Sequence, residues 1–169
     1  DATAWRGRQS LLAHQQLWID AILGTGLKSE VRDFYRMAID FLNASPQPVF
    51  AVDIPSGLDA DTGQPHGLCV RAAATATFGL AKPGQFLYPG ADYTGALKVI
   101  DIGIPPFIVE SAAPRKWLFT RSLAAQCCRP RARDAHKGDN GHLLVVAGAA
   151  GTTGAAALTS MGGLRAGAG

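Results

Sequence analysis

The chain has 169 residues, 47% hydrophobic and 17% charged, with 16 Lys or Arg against 13 Asp or Glu and a formal net charge of +3. That mixture can bury a core, which excludes a disordered chain, and so small a basic surplus suits an anionic substrate without requiring nucleic acid. No apolar run approaches the roughly 20 residues of a membrane-spanning helix, the first eight residues lack a signal peptide's apolar centre, and Cys69, Cys127 and Cys128 have the spacing of neither a zinc site nor a disulfide framework. The expectation is a cytoplasmic protein with no nucleic-acid or membrane partner and with homo-oligomerisation left open. The missing initiator Met and the small-residue ending at 164–169 predict an internal piece of a longer protein.

Residues 17–23 (LWIDAIL) read as a buried strand closed by a turn at Gly24-Thr25-Gly26. Val31, Phe34, Ala38, Phe41 and Leu42 recur at helical spacing and predict a helix over 30–43 with one buried face. The break at 45–48 precedes a second buried strand, 49–54 (VFAVDI), so strand, helix and strand imply a parallel crossover. Residues 55–65 (PSGLDADTGQP) are a loop at that strand's carboxyl end, where α/β proteins tend to bind ligands. Two more strands are expected at 73–80 and 96–102, separated by a Lys82-Pro83-Gly84 turn and an aromatic, Gly-rich loop. Residues 105–135 read as an interdomain linker, whose basic run 129–133 is better explained by a solvated surface than by a nucleic-acid patch. Beyond it a second α/β pattern begins, with a strand at 142–147 (HLLVVA) and a helix at 155–166.

Two acidic residues stand out because each lies in or at the end of an apolar strand. An ionised Asp20 without hydration would cost several kcal/mol, so either backbone donors satisfy it or it faces a cation or the polar rim of a site. Asp53 repeats the pattern beside Pro55, Ser56 and Gly57, which puts two carboxylates near one crevice. The stretch Gly24, Thr25, Gly26, Leu27, Lys28, Ser29 and Glu30 could turn backbone amides and a lysine toward an anion, although it fits neither the dinucleotide fingerprint nor the P-loop. Residues 148–154 (GAAGTTG) likewise lack the P-loop lysine, and 138–141 (GDNG) demand a turn. His136 and His142, with no cysteine cluster near them, are poor metal ligands.

Taken together, 20–30 (DAILGTGLKSE), 52–63 (VDIPSGLDADTG), 77–84 (TFGLAKPG) and 99–104 (VIDIGI) resemble the carboxyl half of an NAD(P)H-hydrate epimerase domain. Residues 136–148 (HKGDNGHLLVVAG) and 154–169 resemble the opening of an NAD(P)H-hydrate dehydratase domain, and bifunctional NAD(P)H-hydrate repair enzymes fuse the two in this order. The resemblance implies a three-layer α/β, Rossmann-like epimerase portion over 1–104, a linker over 105–135 and the start of a ribokinase-like domain over 136–169. It further implies interconversion of the R and S forms of hydrated NADH or NADPH with a potassium ion, and dehydration of the S form driven by ADP or ATP. By position, Asp20 and Ser56 correspond to the potassium ligands. Gly24, Thr25, Gly26, Leu27, Lys28, Ser29 and Glu30 correspond to a substrate-binding loop, Asp53 to a substrate-contacting carboxylate with an acid/base role, and Ala155 to the hydrated-nucleotide pocket of the dehydratase. The epimerase's Asn/Gly-rich loop would precede Asp1, and the dehydratase's nucleotide-phosphate site and acid/base Asp would follow Gly169. A noncatalytic nucleotide-binding or interaction module and a ribokinase-type kinase are the alternatives.

Overall fold

The computed structural model describes residues 12, 14–127, 130 and 132–168. Readings that involve the first eight residues, Cys128, Arg129, Arg131 or Gly169 fall outside them. The chain divides into two compact units, 1–117 and 118–169, each described by itself below.

In the first unit, β1 (Trp18–Asp20), β2 (Val49–Val52), β3 (Ala74–Phe78) and β4 (Ala96–Ile100) form a parallel four-stranded sheet in the order β1-β2-β3-β4. Asp20 pairs with Ala51, and Ala51 with Thr75, so the register runs straight across the sheet. All four expected strands are present, each shorter than its apolar run, because the run continues past the last ladder bond into the loop.

The helix α1 (Asp33–Ala44) starts three residues later than the apolar spacing predicts. Val31 is buried and its amide donates to His66 O at 2.9 Å, so the chain is held extended against the core before it can coil. Ala38, Ile39 and Leu42 go inside, whereas Phe34, counted among the inward residues, is 41% exposed. Ile39 and Leu42 form a core cluster with Val31, Val49 and Val70, and each of these buried side chains contributes about 2 kcal/mol. A short helix, α2 (Gly90–Thr94), lies over the same face of the sheet, where Thr75 Oγ1 donates to Thr94 O at 2.6 Å.

Strand alternation puts Ile19, Phe50, Val52, Ala74, Ala76 and Phe78 on the opposite face. None of them is fully buried, and Ile19 is 65% exposed. Parallel sheets are normally covered on both sides; among the described residues, helices cover one side of this one, which gives two of the three expected layers. A further helix, α3 (Pro106–Ser111), buries none of its residues.

The second unit contains α4 (Arg121–Cys127), a 3-10 turn at Lys137–Asn140 and α5 (Gly154–Ala166). The turn falls on the GDNG stretch, with the Asp139 carboxylate accepting from the His136 amide at 3.0 Å. The strand expected at 142–147 is absent: these residues join no ladder, and Leu144 and Val146 are 86% and 88% exposed. A lone apolar run has no neighbour to satisfy its backbone, and that is the physical reason it stays irregular here. The side chain of Leu143 packs against Gly163 of α5, where a Cβ would meet it at 2.0 Å.

Candidate functional site

Because all four strands run the same way, their carboxyl ends share one edge of the sheet, and the loops there carry the singular residues. Asp20 is the last residue of β1 and is fully buried. Its Oδ2 accepts from the Ser56 amide at 2.8 Å and its Oδ1 from the Ser56 hydroxyl at 2.6 Å, with the Ile22 amide at 3.3 Å. Ser56 Oγ in turn accepts from the Leu23 amide at 2.8 Å. Residues 36 positions apart are thus joined into a closed network that ties the turn after β1 to the loop after β2. Among the described residues no ion pair reaches Asp20. Burial, reinforced by the charge of Asp20, pushes the nearby Cys69 thiol up to about 12, so that cysteine is inert.

Asp53 is placed differently. It follows β2 with φ of 66°, the left-handed region that non-glycine residues seldom occupy. Its Oδ1 accepts from Lys82 Nζ in a short ion pair, from Thr77 Oγ1 at 3.1 Å and from the Phe78 amide at 2.9 Å. The buried side chain of Gln85 spans the pair: its Nε2 donates to Asp53 O at 2.8 Å and its Oε1 accepts from the Lys82 amide at 2.8 Å. Burial raises the Asp53 carboxyl, but the Lys82 hydrogen bond, the Phe78 amide, the Lys82 charge and Thr77 together outweigh it. They hold the group below its ordinary value of 3.8. Asp53 is therefore ionised at neutral pH and can accept a hydrogen bond or a proton, not supply one.

Two glycines fix the loops around these groups. A Cβ on Gly57, at φ of 95°, would lie 2.1 Å from Leu68 O, and one on Gly84 would lie 2.2 Å from Asp59 O. Gly24 and Gly26 are the opposite case, since a Cβ at either meets nothing within 4 Å and neither has a positive φ. Gly24, Thr25, Gly26, Lys28, Ser29 and Glu30 are exposed and Leu27 is half-buried against the core. The stretch ends before the helix α1 begins, so its amides are turn amides.

The structure thus joins Asp20 directly to Ser56 and leaves Asp53 in a separate network a few residues before Ser56. No hydrogen bond or ion pair links the two aspartates among the described residues. Ala155 is the second residue of α5, exposed, in the other unit. Sequence reasoning missed Thr77, Lys82 and Gln85. Their signal was positional, because a lysine in the turn after β3 opens onto the same edge as a carboxylate after β2.

Residues 2–84 match the family model described as YjeF-related protein N-terminus. Through this segment, just under half of its length, the chain is similar to that family. Among curated proteins, the bifunctional NAD(P)H-hydrate repair enzyme Nnr of Moorella thermoacetica is 40% identical over 158 residues, covering 94% of this chain and 30% of that protein. Proteins of the same name are similar in Pyrobaculum aerophilum, at 42% over 88% of this chain and 28% of the relative, and in Escherichia coli, at 39% over 90% and 30%. The chain therefore spans about a third or less of the length of these relatives. The YjeF-related match contains every site residue discussed above except Gln85, which is the next residue after it, and Ala155.

Proposed function

We propose that this chain carries part of the epimerase site of an NAD(P)H-hydrate repair enzyme and the opening of its ADP- or ATP-dependent dehydratase domain, working in the cytoplasm. The domain limits are those given above: 1–104, 105–135 and 136–169. The observation that carries the reading is Asp53, held ionised at the carboxyl edge of the sheet within a segment that aligns with proteins named for this repair. A fixed carboxylate there suits the hydroxyl or amide donors of a hydrated dinucleotide, and it is the candidate proton acceptor in the exchange of R and S forms. Gly24, Thr25, Gly26, Leu27, Lys28, Ser29 and Glu30 form the accompanying loop, with amides and an exposed lysine for the substrate's phosphates. Ala155 is assigned to the pocket of the dehydratase.

The potassium proposal rests on the donors around Asp20. A carboxylate offers about four lone-pair sites and a hydroxyl two. Among the described residues three donors reach the Asp20 carboxylate and one reaches Ser56 Oγ, which leaves one acceptor position on each. Hard oxygens, a buried carboxylate and, among the described residues, no ion pair to Asp20 fit a hard monovalent ion, which would supply a countercharge.

The test is to titrate the chain with the S form of hydrated NADPH while following its amide resonances. Gly24, Thr25, Gly26, Lys28 and Asp53 should move, and Asp53→Ala should weaken the binding. Resonances unmoved at millimolar ligand would refute the assignment of the site. Exchange of the two forms by this chain alone, which holds only part of its relatives' length, is expected to be slow or absent.

A further inference from the structure

The three donors that reach the Asp53 carboxylate all converge on one of its oxygens. Lys82 Nζ, Thr77 Oγ1 and the Phe78 amide bond to Oδ1, and none of the described residues bonds to Oδ2. The side chain is 26% exposed and that of Lys82 is 19% exposed, so the pair is neither sealed in the core nor loose in solvent. Lys82 Nζ also donates to Thr77 Oγ1 at 2.7 Å and lies 3.3 Å from Phe78 O, which occupies the directions in which an ammonium can donate. Gln85 holds the two backbones, donating to Asp53 O and accepting from the Lys82 amide, and so keeps Asp53 in its left-handed conformation.

We infer that Lys82 is a positioning residue for Asp53: with Thr77 and the Phe78 amide it saturates Oδ1, and so leaves Oδ2 as the oxygen that a hydrated dinucleotide's hydroxyl or carboxamide donor meets. The inference rests on the proposed function for the identity of the ligand, and on geometry alone for the anchoring. A lysine whose donors are spent inside the protein has none left for a substrate phosphate, so Lys82 acts through Asp53. Lys82 is the charged group that bears on Asp53, and Thr77 and Phe78 add neutral donors.

Carbon NMR of the Asp53 carboxyl tests the anchoring without any ligand. In Lys82→Met the titration midpoint should rise by about one pH unit or more, while Lys82→Arg, which keeps the charge, should hold it low. An unmoved midpoint in Lys82→Met overturns the inference. The wild-type chain gives a check that needs no substitution, because the Lys82 Nζ resonance must shift with the same low midpoint as Asp53; independent midpoints also overturn it.

Binding of hydrated NADPH then separates two roles for the lysine. Lys82→Met should weaken binding on the order of ten-fold, and should add nothing in an Asp53→Asn background, since both changes remove one function. A full loss on top of Asp53→Asn would mean that Lys82 touches the ligand itself, which overturns the positioning role. If wild-type protein does not bind hydrated NADPH at all, the functional reading fails, and the two titrations still decide the anchoring.

Discussion

Ser56→Ala removes one oxygen and little volume, which makes it a clean probe of the Asp20 network. The hydroxyl gives Asp20 its shortest hydrogen bond, at 2.6 Å, and takes the Leu23 amide at 2.8 Å. A hydrogen bond to a charged acceptor contributes about 2 kcal/mol, and an amide left without a partner costs about 1 kcal/mol where, as here, it is only partly buried. The expected loss is therefore about 3 kcal/mol, read as a shift in the urea midpoint at unchanged slope, or about 10 °C in Tm for a chain of this size. A loss below about 1 kcal/mol would mean that water replaces the hydroxyl at both groups, and the network would not be the sealed device described above. The same substitution tests the cation. If potassium is held by Asp20 and Ser56, wild-type protein should be more stable in KCl than in NaCl of equal concentration, and Ser56→Ala should erase that difference. Equal stability of the wild type in the two salts would remove potassium from the account while leaving the hydrogen-bond argument intact.

Gly24→Ala and Gly26→Ala should change stability by less than about 1 kcal/mol, because a Cβ at either meets nothing; if the loop closes on a ligand, both should nevertheless weaken the binding of hydrated NADPH in a titration. Gln85→Leu keeps the size of the side chain but strands the Asp53 carbonyl and the Lys82 amide, and should cost about 3 kcal/mol in a denaturant melt; a neutral result would show that water fills in. Acid stability follows from the two depressed aspartates, Asp53 and Asp59, the latter held down by the backbone amide and hydroxyl of Thr62. A folded-state value below the unfolded one stabilises the fold above the unfolded value and is lost as pH falls through the folded one. Melts should therefore be insensitive to these groups at neutral pH and weaken below about pH 4, and Lys82→Met should flatten the Asp53 contribution.

Much of the frame was legible because strands and their turns are local. The four apolar runs became the four parallel strands, and the loop at 55–65 sits at a strand's carboxyl end as its Gly, Pro and Asp content implied. The failures were tertiary. The helix start moved from Glu30 to Asp33 because Val31 is tied to His66, a contact across 35 positions that no periodicity reveals. The strand expected at 142–147 lacks a neighbour among the described residues, and an apolar run states only that it could pair. At the candidate site the aspartates were visible as misfits in apolar strands, whereas Thr77, Lys82 and Gln85 look ordinary in sequence. They become partners of Asp53 only once β3 is placed beside β2.

Asp20 ends β1 and Asp53 follows the end of the neighbouring β2, and the two looked alike as sequence, yet their surroundings give them opposite work. Asp20 has no exposed surface and spends its charge inward, on Ser56 and the turn after β1. No substrate atom can reach it without displacing that network, so its contribution is to join two loops, with or without an ion. Asp53 keeps about a quarter of its side chain in solvent, and its carboxylate accepts from the described residues on one oxygen alone, so the other is free to meet a ligand. Neutralising each should therefore have different effects: Asp20→Asn turns an amide toward donors that need an acceptor and should lower stability first, whereas Asp53→Asn keeps an oxygen for Thr77 and Phe78 and should lower affinity first. If thermal melts and ligand titrations ranked the two variants the other way round, the division between a structural and an addressable carboxylate would be wrong.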